Sequence, residues 1–260
     1  DGLIGLNLLR PDRVRVVEGA DGWPVLSPTG ANYAFLLSDS LYVAAYVESI
    51  LLAAISTFAA LLIGYPMAYA MARAPKHWQL VLLLMVMLPS WTSFLIRVYA
   101  WMGILGNQGL LNSFLMWLGL IDQPLKMLNT NFAVVLGIVY AYLPFMVLPI
   151  QAALERIPAS MLEASGDLGA TPAQSFRHVL LPLALPGVIA GSIFTFSLTL
   201  GDYIIPQIVG SSRRFIGQAV YAYQGTAGNI PLAAAFAVVP IVIMGVYLWI
   251  AKRKGAFDAL

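Results

Sequence analysis

Five runs of about 20 or more mostly apolar residues decide what this chain can fold into, because that is the length an α-helix needs to cross the hydrocarbon core of a bilayer. They cover Leu41–Met71, Gln79–Gly106, Phe132–Leu154, Pro186–Gly210 and Pro231–Ala251. The third and fifth hold no charge between their ends; the first holds only Glu48, the second only Arg97 and the fourth only Asp202. The runs are continuous rather than alternating at period two, which excludes a membrane β-barrel. The expected fold is therefore all-α, a polytopic transmembrane helical bundle with five spans. Only 10% of the 260 residues are charged, against roughly 25% in soluble domains, too few to clothe a water-facing surface. With no cysteine there is no disulfide framework or thiolate metal site, and a net charge of +2 supplies no basic field for nucleic acid. His77 and His178 stand alone without ligand spacing, so no metal site is expected.

Lys and Arg in short loops collect on the cytoplasmic side of a membrane protein. With the C-terminus inside, Arg73, Lys76, Arg156, Arg177, Lys252, Arg253 and Lys254 are cytoplasmic, and Lys126, Arg213 and Arg214 lie outside. Five spans then place Asp1 outside, which leads to the expectation of a sixth span upstream. Residues 1–40, carrying Arg10, Arg13, Arg15, Glu18 and Asp21 among Gly and Pro, read as an exposed extracytoplasmic loop; 41–251 as the membrane domain; and 252–260 as a cytoplasmic tail. Between the second and third spans, Leu110–Leu120 is too short to cross and rich in Leu and Trp, so it reads as a helix at the interface or packed on the spans.

The inner segment 155–185 is the most polar stretch after residue 40 and the expected place for a partner. Pro158 suits a first helical turn and Gly169 the residue just past a helix end, predicting a helix over Pro158–Leu168. Met161, Leu162, Ser165 and Leu168 form a mostly apolar stripe on it. A second helix starts at once, with Thr171 as its cap, Pro172 in the first position and Gln174 completing a capping box.

The same residues carry a resemblance. Glu163-Ala164-Ser165, three residues, Gly169, nine residues, then Val179-Leu180-Leu181-Pro182 resembles the EAA motif of permease subunits in binding-protein-dependent ABC importers, with Ser165 for an Ala and Val179 for an Ile. Leu105–Asn112, Trp117–Ile121, Tyr142–Pro149 and Leu200–Pro206 are similar to the spermidine/putrescine branch of that family. The resemblance implies a type I importer permease fold with six spans in the bacterial inner membrane. It also implies a second permease subunit, two ATPase subunits that bind ATP and Mg, and an extracytoplasmic solute-binding protein. Glu163, Ala164, Ser165, Gly169, Leu181 and Pro182 would then form the ATPase-coupling element. The chain itself has no Gly-x-x-x-x-Gly-Lys-Ser/Thr phosphate loop, so the energy must come from another polypeptide and no cofactor is expected here.

Charges inside a membrane cost a few kcal/mol each and face the bundle interior or a wet cavity. Counting residues from the span ends puts Arg97, Asp202 and Glu48 at one level in the outer part of the membrane. Two readings stay open. Arg97 can be a structural charge pairing with Asp202 or Glu48; alternatively Asp202, with Glu48 second, meets a cationic substrate, helped by Tyr46, Trp91 and Tyr203 through cation–π contacts. The function expected is passage of a putrescine- or spermidine-like cation, the alternative being the same machine for an amino-acid derivative, a compatible solute or iron. A membrane enzyme would need a clustered acid, base or metal set, and a secondary transporter would not need the Glu163–Pro182 element.

Overall fold

A computed structural model describes residues 14–18, 24–28, 31–38, 40–210, 215–225 and 230–253. Arg10, Arg13, Asp21, Arg213, Arg214 and Lys254 lie outside these residues.

The membrane part is helical. Within residues 1–40, expected as a loop, β1 (Val14–Glu18) and β2 (Pro24–Pro28) pair antiparallel, with Val16 opposite Leu26. Helix α1 (Ala31–Ser38) follows. Helix α2 (Ser40–Arg73) has 34 residues, about 51 Å at 1.5 Å per residue, longer than a hydrocarbon core of about 30 Å. Its buried positions Ala45, Ser49, Leu52, Ala53, Ser56, Ala60, Gly64, Ala68 and Met71 recur at three and four. That stripe of small side chains lets α2 lie close against α6 (Asn131–Glu155), whose start is capped by the Thr130 hydroxyl accepting from Ala133 N at 3.3 Å.

The second expected span is not one helix. It is α3 (Lys76–Met87), a 3-10 turn over Leu88–Trp91 and α4 (Phe94–Leu105), with the two halves bent by 88°. Pro89 lacks the N–H a helix needs. Ser90 Oγ donates to Met87 O at 2.5 Å and Thr92 Oγ1 to Pro89 O at 2.8 Å, so carbonyls freed by the break are answered locally. Among the described residues, four helices are long and apolar enough to cross a membrane, and five if this bent pair counts as one span. The short α5 (Leu110–Trp117) occupies the expected interfacial segment. Asn112 on it is fully buried and ties the loop, donating to Gly106 O (3.1 Å) and Leu125 O (3.0 Å) and accepting from Leu125 N (2.9 Å).

The polar segment folds as α7 (Ala159–Asp167) and α8 (Pro172–Ser175), then a π-helical turn over Phe176–Leu180, then α9 (Leu181–Gly201). The fourth span thus starts earlier than the apolar run, without an intervening loop, so that 172–201 is one helical rod. It ends earlier too: the rod stops at Gly201, and α10 (Ile204–Val209) is a separate helix. Helix α11 (Ile216–Gln224) precedes the last span, α12 (Ile230–Arg253).

Helix α6 is the centre. Both α2 and α9 pack along it, and Met71, Met146, Val147, Ile150, Leu154, Leu180 and Ala184 form one apolar cluster at that junction. On α9, a Cβ at Gly187 would come within 2.5 Å of Pro149 O and one at Gly191 within 2.8 Å of Met146 O. The Gly187-x-x-x-Gly191 pair is therefore an intramolecular contact with α6, where backbones approach because no side chain stands between them. A second cluster joins α4, α6 and α10 through Val98, Leu105, Ala133, Val134, Ile138, Ile205 and Val209.

Candidate functional site

Two regions hold the residues singled out from the sequence. In the first, α7 and α8 form a tight helical pair. Pro158 precedes α7 with extended backbone, just outside rather than inside the first turn. At the other end Gly169 has φ +80°, its N–H bonds Gly166 O at 2.8 Å, and Ala170 N bonds Ser165 O at 3.0 Å. These two bonds are a Schellman closure, which a left-handed glycine makes at low cost. Both bonds of the Thr171/Gln174 capping box are present, Thr171 N to Gln174 Oε1 at 2.8 Å and Gln174 N to Thr171 Oγ1 at 3.4 Å.

The stripe on α7 divides. Ser165 is buried and Leu162 half-buried, whereas Leu168 is 89% exposed and Met161, Glu163 and Ala164 are also exposed. An apolar side chain held out on a capped turn presents a contact surface rather than a core position. Of the remaining motif residues, Pro182 is exposed and Leu181 partly buried at the foot of α9. A cavity of about 640 Å³ lies between this pair and α2, walled by Tyr65, Tyr69, Leu162, Ser175 and Phe176. Tyr65 and Phe176 meet edge to face with centroids 5.6 Å apart. Two polar side chains fix the ends of the spans nearby: Gln79 Nε2 donates to Ala72 O and Ala74 O, both at 3.1 Å, and Arg73 Nη1 donates to Ile157 O at 3.3 Å.

The second region surrounds the break after α9. Asp202 is 7% exposed, and its carboxylate accepts three bonds: from Tyr142 Oη at 2.9 Å, Ile204 N at 2.8 Å and Ile205 N at 3.2 Å. The carboxylate ends one helix and caps the next, satisfying backbone donors that a membrane interior leaves expensive. Its hydrogen-bonding partner across the bundle is thus Tyr142, not Arg97. Arg97, partly buried, lies over the Phe94 ring at 5.6 Å; its Nε is buried without a hydrogen-bond partner among the described residues. It lines a cavity of about 400 Å³ at the α3–α4 break, with Ser90, Tyr140 and Pro144.

Helix α11 brings the α2 residues into the same region. Ile216 N donates to Ser49 Oγ at 3.0 Å, and a Cβ on the next residue, Gly217, would lie 2.6 Å from Asp202 O. Glu48, half-buried, is the residue before Ser49. Tyr46 donates to Phe236 O at 3.3 Å and packs against that ring, and Tyr203 stacks on Tyr221 with centroids 4.5 Å apart. Trp91 is 73% exposed in the 3-10 turn, and among the described residues no contact ties it to Asp202. The sequence reading missed Tyr142, Ser49 and Ser175. The only available signal for Tyr142 was that a carboxylate inside a span requires donors from somewhere.

Comparison with known proteins shows the family and the fold. The family described as "Binding-protein-dependent transport system inner membrane component" matches residues 34–255. The inner membrane ABC transporter permease protein YdcU of Escherichia coli (strain K12) is 48% identical over 242 residues, 88% of this chain and 74% of that protein. The spermidine/putrescine transport system permease protein PotB of the same organism is 36% identical over 226 residues, covering 85% and 82%. Among solved structures, a bacterial alginate ABC transporter in complex with an alginate pentasaccharide-bound periplasmic protein superposes with TM-score 0.68 at 18% identity, covering 87% of this chain and 82% of the other. The inward-facing MetNI methionine ABC transporter gives TM-score 0.60 at 23% identity, covering 86% and 97%.

Proposed function

Because the chain belongs to the family of binding-protein-dependent transport system inner membrane components, we propose that this permease subunit passes a polyamine, a putrescine- or spermidine-like cation, from a solute-binding protein to the cytoplasm. The observation that carries the substrate class is the 36% identity with a spermidine/putrescine permease over 85% of the chain. The chain acts in a bacterial inner membrane beside a second permease subunit. Two ATPase subunits supply the energy and hold the ATP and Mg; the extracytoplasmic binding protein delivers the solute.

The mechanism follows from the two regions. Helix α7 seats in a cleft of an ATPase subunit, with the exposed Met161, Glu163 and Leu168 making the contact and Gly169 turning the chain where the partner's backbone passes. Among the described residues a Cβ at Gly169 would meet nothing within 4 Å, which leaves that space to a partner. Closure of the ATPase pair on ATP displaces α7 and α8, and the rod of 172–201 carries the displacement into the bundle, opening one side and closing the other. On the outer side Glu48, Tyr46 and Tyr203 supply a carboxylate and ring faces to an ammonium chain. Asp202 joins them only when its cap on α10 opens.

The test is ATP hydrolysis and uptake by the complex reconstituted with its ATPase and binding protein, across putrescine, spermidine and neutral solutes. The polyamines are expected to stimulate both. Stimulation by a neutral solute alone would discard the polyamine reading. Glu163→Lys, with charge reversed at the ATPase contact, is expected to abolish stimulation; normal assembly and normal stimulation in that variant would discard the coupling role.

A further inference from the structure

The third motif position carries a serine, and its hydroxyl has a specific partner. Ser165 Oγ lies 2.8 Å from Leu162 O and 2.7 Å from Ser175 Oγ. A hydroxyl has one proton, and Leu162 O can only accept, so Ser165 donates to Leu162 and Ser175 must donate to Ser165. Ser165 is buried at 8% exposure, and the pair spans the gap between α7 and the end of α8. Apart from the covalent turn through Gly169 and Ala170, it is the direct side-chain tie between the docking helix and the rod among the described hydrogen bonds.

The rod changes pitch just beyond Ser175. Phe176–Leu180 is π-helical, with Leu181 N donating to Phe176 O, and π turns are rare and collect at functional sites. Below the helix pair lies the cavity of about 640 Å³ into which Ser175, Leu162 and Phe176 project. A short helix beside free volume, joined to the next through the Gly169–Ala170 turn, can rotate on its own when pushed instead of passing the push to α8. The tie between the helices decides which happens. We infer that the Ser165–Ser175 hydroxyl pair is a strut that makes α7 and α8 move as one body, so that displacement at the ATPase contact reaches α9 instead of being absorbed within the loop. Both serines are positioning residues: they touch neither nucleotide nor solute. The inference rests on the ATPase-coupling reading above.

The test uses the full complex with its ATPase and binding protein, reading solute taken up per ATP hydrolysed together with subunit co-purification. Ser175→Ala removes the donor and leaves the Ser165–Leu162 bond in place. It is expected to assemble at wild-type yield and to lower uptake per ATP about fivefold, the order that one buried hydrogen bond supports. Ser175→Thr keeps the hydroxyl and is expected to restore the ratio. The double variant Ser165→Ala/Ser175→Ala is expected to lose no more than the worse of the two single variants, because both remove one interaction. An unchanged ratio in Ser175→Ala, additive losses in the double variant, or failure of Ser175→Ala to assemble would each overturn the strut. Absence of any ATPase co-purifying with the wild-type chain would instead overturn the coupling reading beneath it.

Discussion

Replacing Asp202 separates the roles an acidic group inside the membrane can have. Asp202→Ala strips the acceptor from three donors at once, Tyr142 Oη, Ile204 N and Ile205 N, and Ile205 is fully buried. Loss of a helix cap costs about 0.5–2 kcal/mol, and a buried donor left without a partner about 1–3 kcal/mol. The three share one acceptor and do not add fully, so the expected cost is about 3 kcal/mol. Tyr142→Phe removes one bond and leaves the carboxylate with both amides, for about 1 kcal/mol. Asp202→Asn keeps the Oδ1 cap and presents an amide to the tyrosine oxygen, so its cost is expected to stay within about 1 kcal/mol. Denaturant unfolding of the purified chain in mixed micelles, followed by tryptophan fluorescence, reads these values, and Asp202→Ala/Tyr142→Phe is expected to be little worse than Asp202→Ala. Wild-type stability in Asp202→Ala would refute the cap. Asp202→Asn then isolates the charge: a folded, assembled Asn variant that loses polyamine uptake by more than about tenfold assigns the carboxylate to the solute as well.

Other positions give sharper local tests. Gly169→Ala forces a side chain into φ +80°, at a cost of about 1 kcal/mol and with a methyl at the proposed ATPase contact; weaker co-purification of the ATPase is expected, with the chain itself still folded. Gly187→Val places a branched side chain where even a Cβ lies 2.5 Å from Pro149 O and 2.6 Å from Ala153 Cβ, so α9 is expected to separate from α6 and the folded yield to collapse, measured by size-exclusion chromatography. Asn112→Ala deletes three bonds that tie the outer loop at Gly106 and Leu125; faster protease cleavage between residues 106 and 130 is expected, with ATP hydrolysis by the complex retained.

What the sequence disclosed follows the range of the forces involved. Hydrophobic length is a local property, so the first, third and fifth spans end within a few residues of their apolar runs. Capping is local too, and the Thr171/Gln174 box and the Gly169 turn were legible because each closes within a few residues. The failures lie where a break competes with a continuous helix. The second run breaks because the chain can answer its own carbonyls with Ser90 and Thr92 around Pro89, and composition alone does not distinguish a proline kink from a break of 88°. The fourth run stops early because Asp202 is more useful as a cap than as a residue inside a helix, which becomes visible only once Tyr142, 60 positions away, is seen to reach it. Counting along the spans placed Arg97 and Asp202 at one level, but the hydrogen-bond partner of the carboxylate across the bundle is Tyr142.

The same rod joins the two regions, and its packing dictates how. The helical stretch 172–201 has 30 residues, about 45 Å. It bears α7 through Ser175 at one end and Asp202 just beyond the other. Its closest approach to α6 is at Gly187 and Gly191, where backbone nearly meets backbone. A contact that tight resists sliding more than tilting, because sliding drives neighbouring side chains into Pro149 and Met146 while tilting pivots about the glycines. The pivot lies about 20–30 Å from the coupling end and about 15–20 Å from Gly201. A tilt therefore moves Asp202 in the opposite sense to Ser175, by somewhat less. Asp202 cannot follow without disturbing its bonds to Tyr142 on α6 and to the start of α10, or the seat of Gly217 against its carbonyl. On the proposed coupling, a displacement begun at the ATPase contact ends on the carboxylate of Asp202, whose cap on α10 would have to open before a cation reached it.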